Sequence, residues 1–216
     1  MNHLKKLLML AAAGLCLAAG SAAEPPAGGI LVVYYSWSGN TRVVAERVAR
    51  SLGADIHEIR TVKTYPKDGY ETSDEASREL ESGRLPELAG APPDLSRYGA
   101  VIIGAPVWNA RLPTPVAAFL RQTDLSGKRV WSFSTSMGSG IAGFREDLRK
   151  LARNPIAIGG HIDVRFPGNY SPGAFGEGEL DGKLADWIRA IREASRAPLK
   201  TEPKPPQMEM TIPPAE

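Results

Sequence analysis

The feature that most constrains the fold of this chain is the alternation of short apolar runs with longer segments of helical periodicity. The runs at residues 30–35 and 100–105 are continuous and rich in β-branched side chains. Such runs are typical of strands buried on both faces, as in a parallel sheet. At residues 41–52 apolar side chains recur at helical spacing, and Gly53 follows as a stop signal. The alternation predicts an α/β fold with a parallel sheet. Three further strands are expected, at residues 54–59, 128–134 and 156–164.

Four more helices are predicted from capping signals and apolar spacing. Thr72 and Glu75 form a capping box for a helix that ends at Gly83. Thr114 is expected to cap the next helix, with Pro115 at its first position. Apolar positions mark the last two, namely Phe144, Leu148 and Leu151 in one and Leu180, Leu184, Trp187, Ile188 and Ile191 in the other.

The N-terminal segment has the pattern of a secretory signal peptide. Lys5 and Lys6 precede an apolar run at residues 7–19, and small residues at 21–23 complete the pattern. The apolar run is shorter than the roughly 20 residues that a membrane-spanning helix needs. We therefore expect residues 1–23 to be removed and the mature protein to be exported, either to a periplasm or out of the cell. The mature chain then has no membrane span.

Cleavage changes what the composition implies. Residues 1–23 contain Cys16, the one cysteine of the chain, together with Lys5 and Lys6. After their removal, 24 Lys and Arg residues balance 24 Asp and Glu residues. A thiol-free chain excludes disulfides, thiolate catalysis and cysteine metal sites. A neutral chain gives no support to nucleic-acid binding or to attraction by an anionic membrane. Cys16 as a lipidated residue is an alternative, disfavoured because Leu15 stands where a small residue is expected.

The organisation that follows is one domain between two irregular segments. A spacer rich in Pro, Ala and Gly occupies residues 24–29, and the α/β domain is expected at residues 30–194. Residues 195–216 contain six prolines and are predicted to be a disordered or extended tail.

Three loops that follow strands and precede helices are the candidate site, because ligands of such sheets lie at the carboxyl ends of the strands. The loop at residues 36–41 is dense in hydroxyls and small residues, and a helix N-terminus there offers unpaired N–H groups to a phosphate. Simple capping of the helix is the alternative. In the loop at residues 106–113, an exposed Trp108 suits stacking on a flat ligand, although a lone tryptophan more often packs beneath a loop.

The third loop, at residues 135–140, leads into a glycine pattern. Residues 138–143 match the G-x-G-x-x-G dinucleotide fingerprint, and Asp163 lies 20 residues beyond Gly143. That fingerprint belongs on the first strand-helix turn, whereas here it follows the fourth strand. We therefore favour a tight loop whose backbone amides face a ligand edge over NAD binding.

The three loops together resemble those of the flavodoxin family, and more narrowly its exported flavodoxin-like members. The resemblance rests on S-x-S-G-N-T after the first strand, G-A-P-V-W after the third and F-S-T-S-M-G-S-G after the fourth, and covers residues 30–193. It implies a flavodoxin-like three-layer sandwich with a five-stranded parallel sheet. It also implies noncovalent FMN binding and electron transfer, with a redox partner protein or a small quinone-like acceptor. The alternatives are an FMN-dependent NAD(P)H/quinone oxidoreductase and a flavin-free binding module.

Carried over by position, the resemblance implies a set of cofactor-binding residues in each loop. The phosphate is expected at the first loop, the isoalloxazine against Trp108 in the second, and its pyrimidine edge at the third. The residues of the first loop are Ser36, Trp37, Ser38, Gly39, Asn40 and Thr41. Those of the second are Pro106, Val107, Trp108 and Asn109, and those of the third are Thr135, Ser136, Met137, Gly138 and Gly140.

Two departures from the family pattern shape the expectations. Asn109-Ala110 stands where many flavodoxins have a glycine whose peptide turns toward the reduced flavin. The second and third loops contain Arg111 and no carboxylate, from which we expect a less negative potential for the fully reduced couple than in acidic flavodoxins.

His57 and His161, on separate predicted strands, are interpreted as structural histidines rather than a metal pair.

Overall fold

A computed structural model describes residues 28–138, 140–166, 175 and 178–196 of the chain. The strands are β1 (Gly29–Tyr34), β2 (Asp55–Glu58), β3 (Tyr98–Pro106), β4 (Arg129–Ser136) and β5 (Ala157–Arg165). The helices are α1 (Asn40–Leu52), α2 (Gly69–Ser82), α3 (Thr114–Gln122), α4 (Ala142–Leu151) and α5 (Glu179–Arg196). The expected signal peptide lies outside the described residues, as does nearly all of the expected tail.

The five strands form one parallel sheet in the order β2-β1-β3-β4-β5. Side chains alternate between the two faces, so each face has its own buried cluster. One cluster joins the sheet to α1 and α5, through residues such as Val48 and Ile188. The other joins it to α2, α3 and α4, through residues such as Phe119 and Leu148. The predicted three-layer α/β sandwich with a five-stranded parallel sheet is confirmed.

Close packing explains one glycine of the second motif. Gly104 lies on β3 beside Phe133 of β4, and a Cβ placed on Gly104 would be 2.1 Å from the Phe133 ring. The ring itself is fully buried. Gly104 therefore lets a phenylalanine fill the layer between the sheet and the helices.

Two predicted helix caps are wrong, and both residues have other partners. Asp68 caps α2, its carboxylate accepting from the N–H groups of Tyr70 and Glu71 at 2.8 and 3.0 Å. The Thr72 hydroxyl instead donates to the carbonyl of Pro66 at 2.8 Å. Thr114 is already helical and does not cap α3, because its buried hydroxyl bonds to side chains of neighbouring elements.

The C-terminal helix extends past the expected domain boundary. α5 continues through Ser195 and Arg196, and Ser195 is buried, so these two residues belong to the domain rather than to the tail. Among the described residues, no helix combines the length and the apolar character needed to cross a bilayer.

Candidate functional site

An open cleft of about 260 Å³ lies at the carboxyl edge of the sheet. In the sheet, β1 lies beside β3, and the chain leaves these two strands toward opposite faces. The cleft lies at this switch point, where ligands of open α/β sheets bind. Residues of all three predicted loops line it. They are Trp37, Ser38 and Asn40 of the first loop, Pro106, Val107, Trp108 and Asn109 of the second, and Thr135, Ser136 and Met137 of the third.

The first loop leaves the N-terminus of α1 open toward this cleft. Gly39 precedes the helix with φ 95°, a left-handed conformation that favours glycine, and as the cap residue it has no side chain to bond the first turn; Ser36 accepts from one N–H of that turn, the N–H of Arg42. Asn40 is 4% exposed, and its Oδ1 atom has no hydrogen-bond partner within the described part of the chain. The N–H groups at the helix start suit a phosphate, which only accepts, and the Asn40 Oδ1 suits a hydroxyl donor such as those of a ribityl chain. The residues present therefore fit the ribityl phosphate of FMN.

Ser36 shapes the loop rather than lining the cleft. Its Oγ accepts from the backbone N–H groups of Gly39 and Arg42, both at 3.2 Å. The Arg42 side chain is engaged elsewhere, donating to the carboxylate of Glu58 at 2.5 Å and to the hydroxyl of Tyr34 at 3.3 Å. The hydrogen bond to Glu58 raises the pKa of the Arg42 guanidinium above its usual range. The first loop thus relies on backbone amides and hydroxyls, as its composition predicts.

Thr41 connects the first loop to the third. Its Oγ1 lies 2.8 Å from Oγ1 of Thr135, and both side chains are buried. Val107 of the second loop donates its N–H to the carbonyl oxygen of Thr135 at 3.0 Å. These two contacts bring the three loops into one structural unit around the cleft.

Trp108 packs beneath its loop, as expected of a lone tryptophan, and it also lines the cleft. Trp108 is 7% exposed and packs edge-on against Tyr35, with ring centroids 5.6 Å apart, and against Tyr65 at 4.9 Å. Burial raises the pKa of the Tyr65 hydroxyl well above its usual range, so this hydroxyl stays protonated and donates to the carboxylate of Glu79 at 2.8 Å. An indole packed on two other rings forms a firm wall of the cleft. The large indole left more open at the rim is Trp37, whose Nε1 donates to the carbonyl of Pro66 at 2.8 Å.

The turn after Trp108 has left-handed backbone geometry, which glycine adopts most readily. Asn109 and Ala110 have φ values of 50° and 59°. The turn is closed by two backbone hydrogen bonds between Trp108 and Arg111, at 3.2 and 2.7 Å. The Asn109 amide also donates to the Ser73 carbonyl and the Ser77 hydroxyl of α2, both at 3.0 Å. The turn is therefore fixed by α2.

The positive charge of Arg111 is balanced by a carboxylate from outside the second loop. Its guanidinium makes two hydrogen bonds of 2.6 Å to the carboxylate of Asp147 on α4, and that carboxylate also accepts from the N–H of Leu112 at 3.2 Å. The side-chain hydrogen bond to Asp147 raises the pKa of Arg111. The acid that balances Arg111 therefore comes from a distant helix, and the less negative potential expected from the loop composition stays a prediction.

Neither glycine predicted in the third loop reaches the cleft, and Gly138 has a structural partner. Gly138 donates its N–H to the Ser136 hydroxyl at 3.2 Å, and neither Gly138 nor Gly140 lines the cleft. Gly143 lies in α4, where a Cβ would be 2.6 Å from the carbonyl oxygen of Ala110. Close packing of α4 on the second loop thus accounts for the last glycine of the dinucleotide fingerprint. Met137 is 53% exposed at the cleft rim.

Sequence reasoning missed four lining residues. Gly69, Thr72 and Ser73 come from the start of α2, and Phe166 follows β5. The sequence pattern makes Thr72 a helix cap, and its position at the cleft follows only from the hydrogen bond that its hydroxyl donates to the Pro66 carbonyl.

Among the residues described, no cluster of three or more His, Asp or Glu side chains is arranged to hold a metal ion.

Comparison with known proteins adds relatives at moderate identity. An NAD(P)H dehydrogenase (quinone) of Cupriavidus metallidurans is 33% identical over 140 residues, which cover 60% of this chain and 67% of the relative. The chain spans about half to two thirds of the length of the curated relatives that it matches.

Solved structures of flavoproteins share the fold. One from Bacteroides uniformis superposes with a TM-score of 0.61 and 26% identity, covering 75% of this chain and 98% of that protein. A flavoprotein from Lactobacillus acidophilus, solved in complex with FMN, gives a TM-score of 0.56 at 27% identity, covering 63% of this chain and 93% of the other. The sequence model of the family described as flavodoxin matches residues 29–162. With more than half of its length matched, the chain belongs to the flavodoxin family.

Proposed function

We propose that this protein binds FMN in the cleft and transfers electrons through it. The observation that carries the proposal is the open N-terminus of α1, with the buried, unpartnered Oδ1 of Asn40 beside it. A buried amide oxygen without a donor costs free energy, so its retention beside a cleft is explained by a ligand hydroxyl, such as one of the ribityl chain, that supplies the missing hydrogen bond. The FMN-complexed flavoprotein of similar fold supports the same assignment.

In this proposal each loop has a distinct part. The amides at the start of α1 and the Ser38 hydroxyl hold the phosphate, and the wall formed by Trp108 and the turn at Asn109 faces the ring. The third loop, through Thr135 and Ser136, borders the pyrimidine edge. FMN supplies one- or two-electron chemistry when bound, while the protein positions it and sets the surrounding charge.

A charge reversal at the phosphate position tests the proposal. Ser38 lines the cleft and is half-buried, so Ser38→Glu places a carboxylate where the phosphate is proposed to bind. We expect this variant to stay folded and to lose FMN affinity by at least about a hundredfold, since two anions would share one site. Ser126→Glu adds the same charge in the exposed turn before β4, at the opposite edge of the sheet, and should bind as the wild type does. Equal affinity of the two variants would contradict the assignment.

Reduction by NAD(P)H and transfer to a quinone is a second candidate function. A groove of about 640 Å³ adjoins the cleft and shares Trp37 and Ser38 with it. Four of its lining residues are basic, namely Arg42, Arg60, Lys63 and Lys67. Arg42 and Arg60 pair with Glu58, which also lines the groove, and Lys63 pairs with Glu75 and Glu79, so the charge of the groove is largely balanced. Relatives named NAD(P)H dehydrogenase (quinone) support the candidate. Steady-state turnover of NAD(P)H with a quinone would establish it, whereas reduction only through a protein partner would favour the carrier.

The proposal includes export of the mature protein. It is supported by the two lysines, the apolar run and the small residues within residues 1–23. N-terminal sequencing of the protein from fractionated cells tests it. A new N-terminus at residue 24 in the exported fraction is expected, and an intact N-terminus in the cytosol would contradict it.

A further inference from the structure

A chain of side-chain hydrogen bonds runs along β4 and β5 and ends beneath the third loop. The Ser132 hydroxyl lies 2.8 Å from Nδ1 of His161, and the Ser134 hydroxyl lies 3.0 Å from Nε2 of the same ring. Ser134 also lies 2.6 Å from Oδ1 of Asp163, whose Oδ2 lies 2.7 Å from the Ser136 hydroxyl. The three serines are buried. None of these contacts is needed to form the sheet, so the chain of bonds calls for a separate explanation.

Proton counting and the pKa of His161 together fix the direction of these bonds. A carboxylate only accepts, so Ser134 and Ser136 both donate their single hydroxyl proton to Asp163. Ser134 must then accept from Nε2–H of His161. Burial lowers the pKa of His161 to about 4, so at neutral pH the ring carries one proton and its Nδ1 accepts from Ser132. At neutral pH His161 is therefore the Nε2–H tautomer, and the dipoles point toward the Asp163 carboxylate.

The same carboxylate holds the third loop. Because Ser136 donates to Asp163, its oxygen is free to accept, and it accepts from the N–H of Gly138 at 3.2 Å. The Ser136 carbonyl is bonded by the N–H of Phe166 at 3.0 Å. Two residues beyond Asp163, the Arg165 guanidinium lies across Gly138, 3.2 Å from the position that a Cβ would take there. Asp163 thus holds the loop through Ser136, and Arg165 of the same strand borders it at Gly138.

We propose that Asp163 and Arg165 of β5 are positioning residues that fix the loop at 135–138 and set the charge that reduced FMN meets at this edge of the cleft. The inference rests on the proposed function for its flavin part. Reduced FMN bears more negative charge on its ring than oxidised FMN. A carboxylate bonded to the loop therefore weakens binding of the reduced form, and a guanidinium bordering the loop strengthens it.

Neutralising each charge separately tests the electrostatic part. In Asp163→Asn we expect the ratio of reduced to oxidised FMN affinity to rise about tenfold, the order of effect of one unit charge in a partly hydrated site. In Arg165→Gln we expect the ratio to fall by about threefold, since Arg165 is exposed and more strongly screened. Spectroelectrochemical titration measures both ratios. Asp186→Asn, which removes an exposed carboxylate from α5, is the matched control and should leave the ratio unchanged.

The affinity ratio is expected to change in opposite directions in the two variants, and this distinguishes an electrostatic role of Asp163 and Arg165 from a merely structural one. Loss of loop order alone would move both variants in the same direction, and that result would overturn the proposal, as would an unchanged ratio in Asp163→Asn that still binds FMN.

A second readout needs no flavin. ¹⁵N NMR of the flavin-free protein should show His161 as the neutral Nε2–H tautomer, with the Gly138 amide protected from exchange. In Ser136→Ala that amide should exchange at least about tenfold faster, because it loses its acceptor. An Nδ1–H tautomer, or unchanged exchange in Ser136→Ala, would overturn the positioning role. If the network is confirmed but the wild type binds no FMN, the proposed function fails and the flavin part of the inference fails with it.

Discussion

Thr41 and Thr135 lie 94 residues apart in the chain, and their hydroxyl oxygens are 2.8 Å apart in the fold. One hydroxyl belongs to the start of α1 and the other to the end of β4, so this buried hydrogen bond joins the first candidate loop to the third. Both loops border the cleft. The bond links the stability of the fold to the shape of the site.

Thr135→Val should show this link in stability. Valine keeps the shape of threonine but leaves the buried Thr41 hydroxyl without its partner, which costs about 1–3 kcal/mol in the free energy of unfolding. Urea denaturation measures the loss. Adding Thr41→Val should cost less than the sum of the two single changes, because the pair is then removed together. Additive losses would mean that the bond contributes nothing.

Glu79 should be far more important to stability than Glu75, although both carboxylates contact Lys63. Glu79 is 8% exposed and also accepts from Tyr65 and Thr114. In Glu79→Ala the two buried hydroxyls lose their shared acceptor and their mutual 3.0 Å contact can use only one of their two protons, so the change should cost about 3 kcal/mol. Glu75→Ala removes a more exposed partner and should cost about 1 kcal/mol or less. Similar losses in thermal or urea unfolding would contradict the assignment of Glu79 as the centre of this network.

Ala110→Gly should stabilise the protein. Ala110 has φ 59°, a left-handed conformation that costs an L-residue about 1–2 kcal/mol, whereas glycine adopts it freely. Glycine loses more conformational entropy on folding than alanine does, so the net gain in the free energy of unfolding is about 0.5–1 kcal/mol. The control is Ala185→Gly on the exposed face of α5, which should destabilise by about 1 kcal/mol. A loss of stability at residue 110 would show that the turn is not strained.

His161 should make the fold less stable in mild acid. Burial lowers the pKa of His161 to about 4; Asp163 opposes this shift and Arg145 adds to it. The unfolded chain takes up a proton near pH 6.5, whereas the folded chain does so only near pH 4. The free energy of unfolding therefore falls as the pH drops through this window, by at most about 3 kcal/mol at roughly 1.4 kcal/mol per pH unit. In His161→Gln the free energy of unfolding should depend less steeply on pH, while the control His57→Gln should retain most of the wild-type slope. Equal slopes in the wild type and in His161→Gln would contradict the assignment.

The sheet and its helices are predictable from the sequence because their signals are local. Apolar runs at residues 30–35 and 100–105 need no knowledge of distant residues to be recognised as buried strands. The parallel topology then brings the three strand-end loops to one edge, so most of the cleft lining is predictable too.

The side-chain details are not predictable in the same way, because they depend on contacts between residues far apart in the chain. Thr72 and Asp68 are both good cap residues, and the position of the Pro66 carbonyl decides between them. Trp108 is buried because Tyr35 and Tyr65 close around it. Likewise, only the register of β4 and β5 places Asp163 beside Ser134 and beneath the third loop.

FMN binding at the N-terminus of α1 and the adjoining cleft is tested most directly by titrating the flavin-free protein with FMN. Isothermal calorimetry and the quenching of flavin fluorescence should both report saturable one-to-one binding, with free riboflavin bound at least about tenfold more weakly because it lacks the phosphate. Absence of saturable binding by the folded wild type, or equal affinity for riboflavin, would contradict the account.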